Sequence, residues 1–217
     1  MPLVTTFADD AIQALSRLIT SGGSFSSTVL IVGGGGGSIN NTRYGGGAGG
    51  MQTITPTITI GTAYTITVGS AGTTTNGGNS VFNTTTSSGG GATNSSGGSG
   101  GGSTTATKYA GTAGQGNSGG AGTTTGVGGG GGAGGAGTNG SAGGGGDGGN
   151  GLQSSITGTA VYYAAGGSGK GPQGIGTNSP GYTGYGAGGG YDLADGPTYY
   201  DRLPAQPGVL IIRYLSI

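Results

Sequence analysis

Glycine fills 63 of the 217 positions, and it comes in runs. Ordering glycine costs more backbone entropy than ordering any other residue. A chain of this kind therefore stays open or finds a packing that only glycine permits. Gly with the 7 Pro makes about a third of the chain, the usual mark of a low-complexity, disordered segment. Two features oppose that reading. Charged residues are only 6%, so the chain does not repel itself into an open coil, and apolar strand-like segments bracket the glycine tracts on both sides.

Collagen is the next possibility. Gly occupies every third position from Gly128 to Gly149, but further Gly fills most places between and the tract holds no Pro. A triple helix needs imino acids to hold its extended backbone. A third packing uses the same backbone differently. Polyproline-II geometry turns once per three residues without internal hydrogen bonds, so every N–H and C=O points outward. Where a run is nearly all Gly, other such rods can approach on every side and bond laterally, with Cα–H···O contacts added. The candidate rods are 33–37, 45–50, 89–91, 97–102, 126–137, 143–151 and 184–190.

The rest of the composition excludes much chemistry. There is no Cys, His or Trp, and none of the acids is Glu. Tetrahedral zinc sites and thiolate clusters lose their usual ligands, and neither a Ser-His-Asp nor a Cys-His arrangement can be assembled. A paired-carboxylate acid–base site would have to come from Asp alone; Asp192 and Asp195 lie close in sequence, but no such site is expected. Six cations balance six anions, which leaves no basic stripe for nucleic acid. No enzyme activity, metal or cofactor is expected. The absence of Cys fits synthesis in a reducing cytoplasm. Residues 1–24 lack a basic n-region and a long apolar run, so neither a signal peptide nor membrane insertion is expected.

Residues 1–24 read as a short amphipathic α-helix and tether. Thr5 or Thr6 caps it, Asp9 and Asp10 sit in the first turn, and Gly22 and Gly23 end it. Ile12, Leu15, Leu18 and Ile19 fall on one face, to pack against their own domain or to dock onto a partner. Residues 25–217 then form a glycine-rich domain. Strands are expected at Thr28–Val32, Met51–Ile60, Tyr64–Val68, Asn79–Phe82, Ile156–Tyr163 and Val209–Tyr214, with Met51–Ile60 and Tyr64–Val68 pairing as a hairpin. The first and last runs are continuously apolar, so each should be buried on both faces and they should pair. The expected fold is mainly β and irregular. A small β-module (27–88 and 152–217) joins the chain ends, polyglycine-II rods bundle over 89–151 and 184–190, and a short N-terminal α-helix precedes both.

The order of segments VLIVGGGGG, YTITVGSAG, GGNSVF, TGTAVYYAAGG and PGVLIIRY resembles the glycine-rich domain of bacteriophage tail and fibre proteins. It is similar in kind to tail-fibre tip adhesins, in which stacked glycine helices carry aromatic-bearing loops that touch the host receptor. The resemblance covers residues 28–215. It implies a virion protein that touches a host receptor, by analogy as a homotrimer. Residues 1–24 lie outside the pattern, and their apolar face is what would join other virion proteins. Tyr beside Asp suits a host surface saccharide or outer-membrane protein. Six of the eleven Tyr fall in the last 36 residues, and Tyr offers a large amphipathic contact at low entropic cost. Tyr182, Tyr185, Tyr191, Asp192, Tyr199 and Tyr200 are the receptor-contact candidates; the alternative is that these rings pack over the rods and cap the β-module. Competing with the adhesin reading are a virion decoration or assembly protein without a receptor role, and an ice-binding protein. The irregular Thr clusters at 73–76, 84–88 and 123–125 do not favour the last.

Overall fold

A computed structural model describes residues 22–38, 45–193 and 200–214. Nothing in the glycine runs can make a core of side chains, so the apolar strands make two small ones. Strand β1 (Ser24–Val32) lies at the centre of a sheet. It pairs antiparallel with β13 (Val209–Tyr214), with β2 (Met51–Ile54), and through Ser24–Ser26 with β3 (Thr57–Thr59). Val29, Leu30, Ile31 and Val32 are all fully buried, which explains their unbroken apolar run.

Alternation splits them between two faces. Leu30 and Val32 pack with Met51, Ile156, Tyr163 and Ala164. Val29 and Ile31 pack with Phe82, flanked by Ile54, Ile58, Tyr64 and Leu210, and the rings of Tyr64 and Phe82 stack 5.7 Å apart. The remaining strands are short: β4 (Ile66–Thr67), β5 (Ser80–Phe82) and β6 (Thr85–Ser87) form one sheet. Strands β7 (Leu152–Ser154) and β8 (Val161–Tyr163), β9 (Lys170–Gly171) and β10 (Gly174–Ile175), and β11 (Gly190–Leu193) and β12 (Tyr200–Leu203) form three two-stranded pairs.

At Val32 the chain leaves the sheet and enters the glycine body, where the hydrogen-bond period changes from two to three. Gly33 and Gly36 donate to Gly50 and Gly47, while Gly34 and Gly37 donate to Gly78 and Thr75. Positions three apart reach the same neighbour, as three residues per turn require. The interior rods are enclosed on all sides. The 45–50 rod donates to Gly189 and Gly186 on one neighbour, to Gly91 and Ser88 on a second and to Gly131 on a third. It accepts from Gly33 and Gly36, from Ser99 and Gly102, and from Gly167, completing six neighbours.

The 126–133 rod has six as well. Val127, Gly130 and Ala133 donate to Lys170, Gly167 and Ala164; Gly128 and Gly131 to Ser103 and Gly100; Gly129 and Gly132 to Thr138 and Gly135. Acceptance from Gly120 and Asn117, from Gly146 and Gly149, and from Ala48 closes the shell. Backbone amides thus satisfy one another sideways in a dry interior. At most rod positions only glycine fits: a methyl on Gly130 would run into the Gly46 carbonyl, and one on Gly46 into that of Gly36.

Side chains act where a rod or strand is missing. Asn76 and Asn79, three residues apart, use their Oδ1 atoms to accept from the amides of Ala92 (2.8 Å) and Gly89 (2.8 Å). At the junction of sheet and body the Ser80 hydroxyl donates to the Val32 carbonyl (2.6 Å) and accepts from the Gly69 amide (2.9 Å).

The expected fold class needs correction, because it included an α-helix and the described residues hold none. Residues 1–21, with Ile12, Leu15, Leu18 and Ile19, lie outside the described residues. Of the helix-and-tether segment, the described part is a turn at Gly22 and the start of β1 at Ser24. Ser24–Ser26 pairs with Thr57–Thr59, flanked by the bonds from Ser27 to Pro56 (3.0 Å) and from Ile60 to Gly23 (3.0 Å), so this stretch is part of the sheet rather than a free tether.

Two strand expectations and one rod expectation also change. Met51–Ile60 does not form a hairpin with 64–68. Pro56 divides it into β2 and β3, both held by β1, and β4 pairs with β5 instead. The expected strand at 156–163 is β8 alone, since a turn in which Gly158 donates to Ser155 precedes it. The 126–137 tract is two rods, divided by a turn in which Gly132 donates to Gly135.

Candidate functional site

The rods run up and down, so their connections collect at two ends. Gly33 and Gly50, bonded to each other, adjoin β1 and β2 and mark the sheet end. Gly102 bonds to Gly45 at the other extremity of the 45–50 rod, which places the turns that follow 102 at the far end.

Those far turns join into a band. The Thr104 amide donates to Asn94 Oδ1 (2.8 Å) and Gly122 to the Thr105 carbonyl (2.6 Å). Thr125 Oγ1 reaches the Ala142 carbonyl (3.0 Å), and the Gln173 amide reaches that of Gly143 (2.7 Å). Within single turns, Thr123 Oγ1 and Ser141 Oγ accept from the amides three residues on, at Gly126 (2.9 Å) and Gly144 (3.0 Å). These hydroxyls hold turn shape, the general role of short polar side chains in turns. Asp147 is similarly engaged: its Oδ1 accepts from the amide (2.6 Å) and hydroxyl (2.8 Å) of Thr177.

The tyrosine candidates do not form one site. Tyr182 and Tyr185 occupy the turn at 180–185 on the sheet end, where the Ala164 amide donates to the Tyr185 carbonyl (3.0 Å). The rod from Gly186 then crosses the body, and Tyr191 emerges at the far end. Six residues at about 3.1 Å rise separate Tyr185 from Tyr191 by roughly 19 Å.

Tyr185 is 53% exposed, but Tyr191 is only 3% exposed. The Lys170 ammonium lies 5.3 Å from the Tyr191 ring centroid, and the Tyr191 amide donates to Ser168 Oγ (3.0 Å). Its carbonyl accepts from Ser168 Oγ (3.1 Å) and from Asn178 Nδ2. Tyr191 therefore caps the body and offers no face to a ligand. Asp192 and Tyr200 face Asp201 and Leu193 across the β11–β12 pair, and Tyr199 lies outside the described residues.

Sequence reasoning passed over an exposed group on the sheet end: Leu152, Val161 and Tyr162 of the β7–β8 hairpin. A Cβ on Gly181 would stand 2.7 Å from that of Tyr162, so this hairpin and the Tyr182–Tyr185 turn are continuous. The available signal was the apolar and aromatic run Val161-Tyr162-Tyr163 itself, of which only Tyr163 turns into the core.

Compared with known proteins, residues 19–215 match a family model described as a glycine-rich domain. No curated protein and no solved structure matches the chain.

Proposed function

Starting from a chain that belongs to the glycine-rich domain family, we propose that it is a structural virion protein of a bacteriophage, a tail-fibre or adhesin component that displays loops to a host receptor. The observation carrying this reading is the pair of rods, 45–50 and 126–133, each bonded to six neighbours. Such a body supports variable turns without a side-chain core, so the turns are free to differ while the scaffold persists. The far-end band of Thr, Asn and Ser turns, with the β11–β12 hairpin beside it, is the display surface. Its hydroxyls and amides suit a saccharide or the polar loops of an outer-membrane protein. Residues 1–21 make the attachment to other virion proteins.

Purified full-length protein should bind host cells and compete with adsorption of the phage that encodes it. Absence of competition at saturating protein would remove the receptor role. Localisation in a virion map away from any host-facing end would replace it with decoration or assembly.

A further inference from the structure

The face of the central sheet that carries Leu30 changes character along its length. The register aligns Thr28 with Arg213 and Leu30 with Thr53. Alternation then puts Ser26, Thr28, Thr53 and Arg213 on the same side as Leu30, Val32 and Ile211. The apolar half lies beneath Ile156 and Tyr163. The polar half opens into a cleft of about 440 Å³, walled by Ser154 and Ser155 and closed inward by Ile156, well within the ~300–1,000 Å³ of small-molecule sites.

The hydroxyls of Ser26, Thr28, Thr53 and Ser155, and the Arg213 guanidinium, engage no other protein group among the described residues. Arg213 has no carboxylate partner there either. A second cation, Lys170, lies instead over the Tyr191 ring. The planar Arg213 guanidinium offers a fork of donors suited to a bidentate carboxylate. The ring of hydroxyls can both donate and accept, as polyhydroxylated ligands need.

We propose that this cleft binds an acidic saccharide, its carboxylate on Arg213, its hydroxyls on Ser26, Thr28, Thr53 and Ser155, and one apolar ring face toward Ile156. The site lies at the sheet end, opposite the far-end display band, and does not rest on the virion reading.

The test is a titration of the isotope-labelled full-length chain with sodium D-glucuronate, with D-glucose and inorganic phosphate run in parallel. Glucuronate should produce saturable amide shifts at Ser26–Thr28, Thr53 and Ser154–Ile156, with an affinity of about millimolar. Glucose and phosphate should each bind at least about tenfold more weakly. Arg213→Gln should weaken glucuronate about tenfold or more with an unchanged thermal midpoint, since Arg213 is exposed. Ser155→Ala, a milder change on the opposite wall, should weaken it by a smaller factor. Equal response to phosphate, wild-type affinity in Arg213→Gln, or shifts clustered elsewhere would each overturn the proposal. Adsorption competition can still hold when this binding fails, which separates the two ideas.

Discussion

Replacing Gly130 with Ala tests the lateral-bonding scaffold, because two accounts of the chain give opposite signs. Gly130 is buried. It donates to Gly167 (2.8 Å) and accepts from Gly149 (2.8 Å). An added Cβ would fall well inside the 3.0 Å that real Cβ atoms keep from the Gly46 carbonyl. The 126–133 and 45–50 rods must then part, and both are hemmed in by their other neighbours.

Parting them opens the bond from Ala48 to Gly131 (2.9 Å), leaving one buried donor and one buried acceptor at about 1–3 kcal/mol each. Against this, Ala removes unfolded-state entropy worth about 0.4–1 kcal/mol. The net expectation is a loss of about 1–5 kcal/mol. In a domain of this size that lowers the thermal midpoint by on the order of 10 °C.

Gly135→Ala is the matched control in the same tract, since its Cβ would find nothing nearer than the Asn150 amide at 3.6 Å. It should be neutral or stabilising. Calorimetry or circular dichroism reads both. A Gly130→Ala midpoint at or above wild type would refute the packed bundle, because a loose glycine chain gains from the same substitution.

Amide exchange should be slowest in 45–50 and 126–133 and fast at the exposed tips of 105–108 and 124–125; a uniform rate across these segments would contradict the rod assignment. Asn79→Ala should cost about 1–3 kcal/mol in denaturant unfolding by stripping the Gly89 amide of its acceptor. Ser80→Ala should cost at least as much, since one buried hydroxyl serves both Val32 and Gly69. Leu30→Ala should cost about 2–5 kcal/mol as a core truncation, and little change would place the sheet outside the cooperative unit.

Much of the architecture was legible because it follows from residues that admit few alternatives. The continuous apolar run at Val29–Val32 is buried on both faces and pairs with Val209–Ile212 as expected, but the second run is an edge strand, only half-buried, with Ile212 39% exposed. Glycine tracts almost free of charge and of Pro pointed to rods that bond sideways. Less legible was how the rods divide. Gly134 and Gly135 look like their neighbours in sequence, yet they turn the chain, because the next rod must return alongside. Asn76 read as part of a polar turn and Asn79 as the start of a strand, but both stand in for missing backbone partners. Pro56 was visible as an interruption; that its two flanks share one partner strand was not.

The candidate site divides along the same line. Composition alone ruled out the side chains of zinc and triad chemistry, and tyrosine content drew attention to residues 182–200, which do not share one surface. Whether two tyrosines near in sequence share a surface depends on what lies between them. Here it is a rod, which carries Tyr191 across the body and buries it under Lys170, while Tyr185 stays exposed on the sheet end. Chain chemistry by itself determined that glycine amides would be the cohesive groups, since few other groups were available. Tertiary structure decided which amide meets which, because a glycine has no side chain to encode its partner and only the closed lattice selects one.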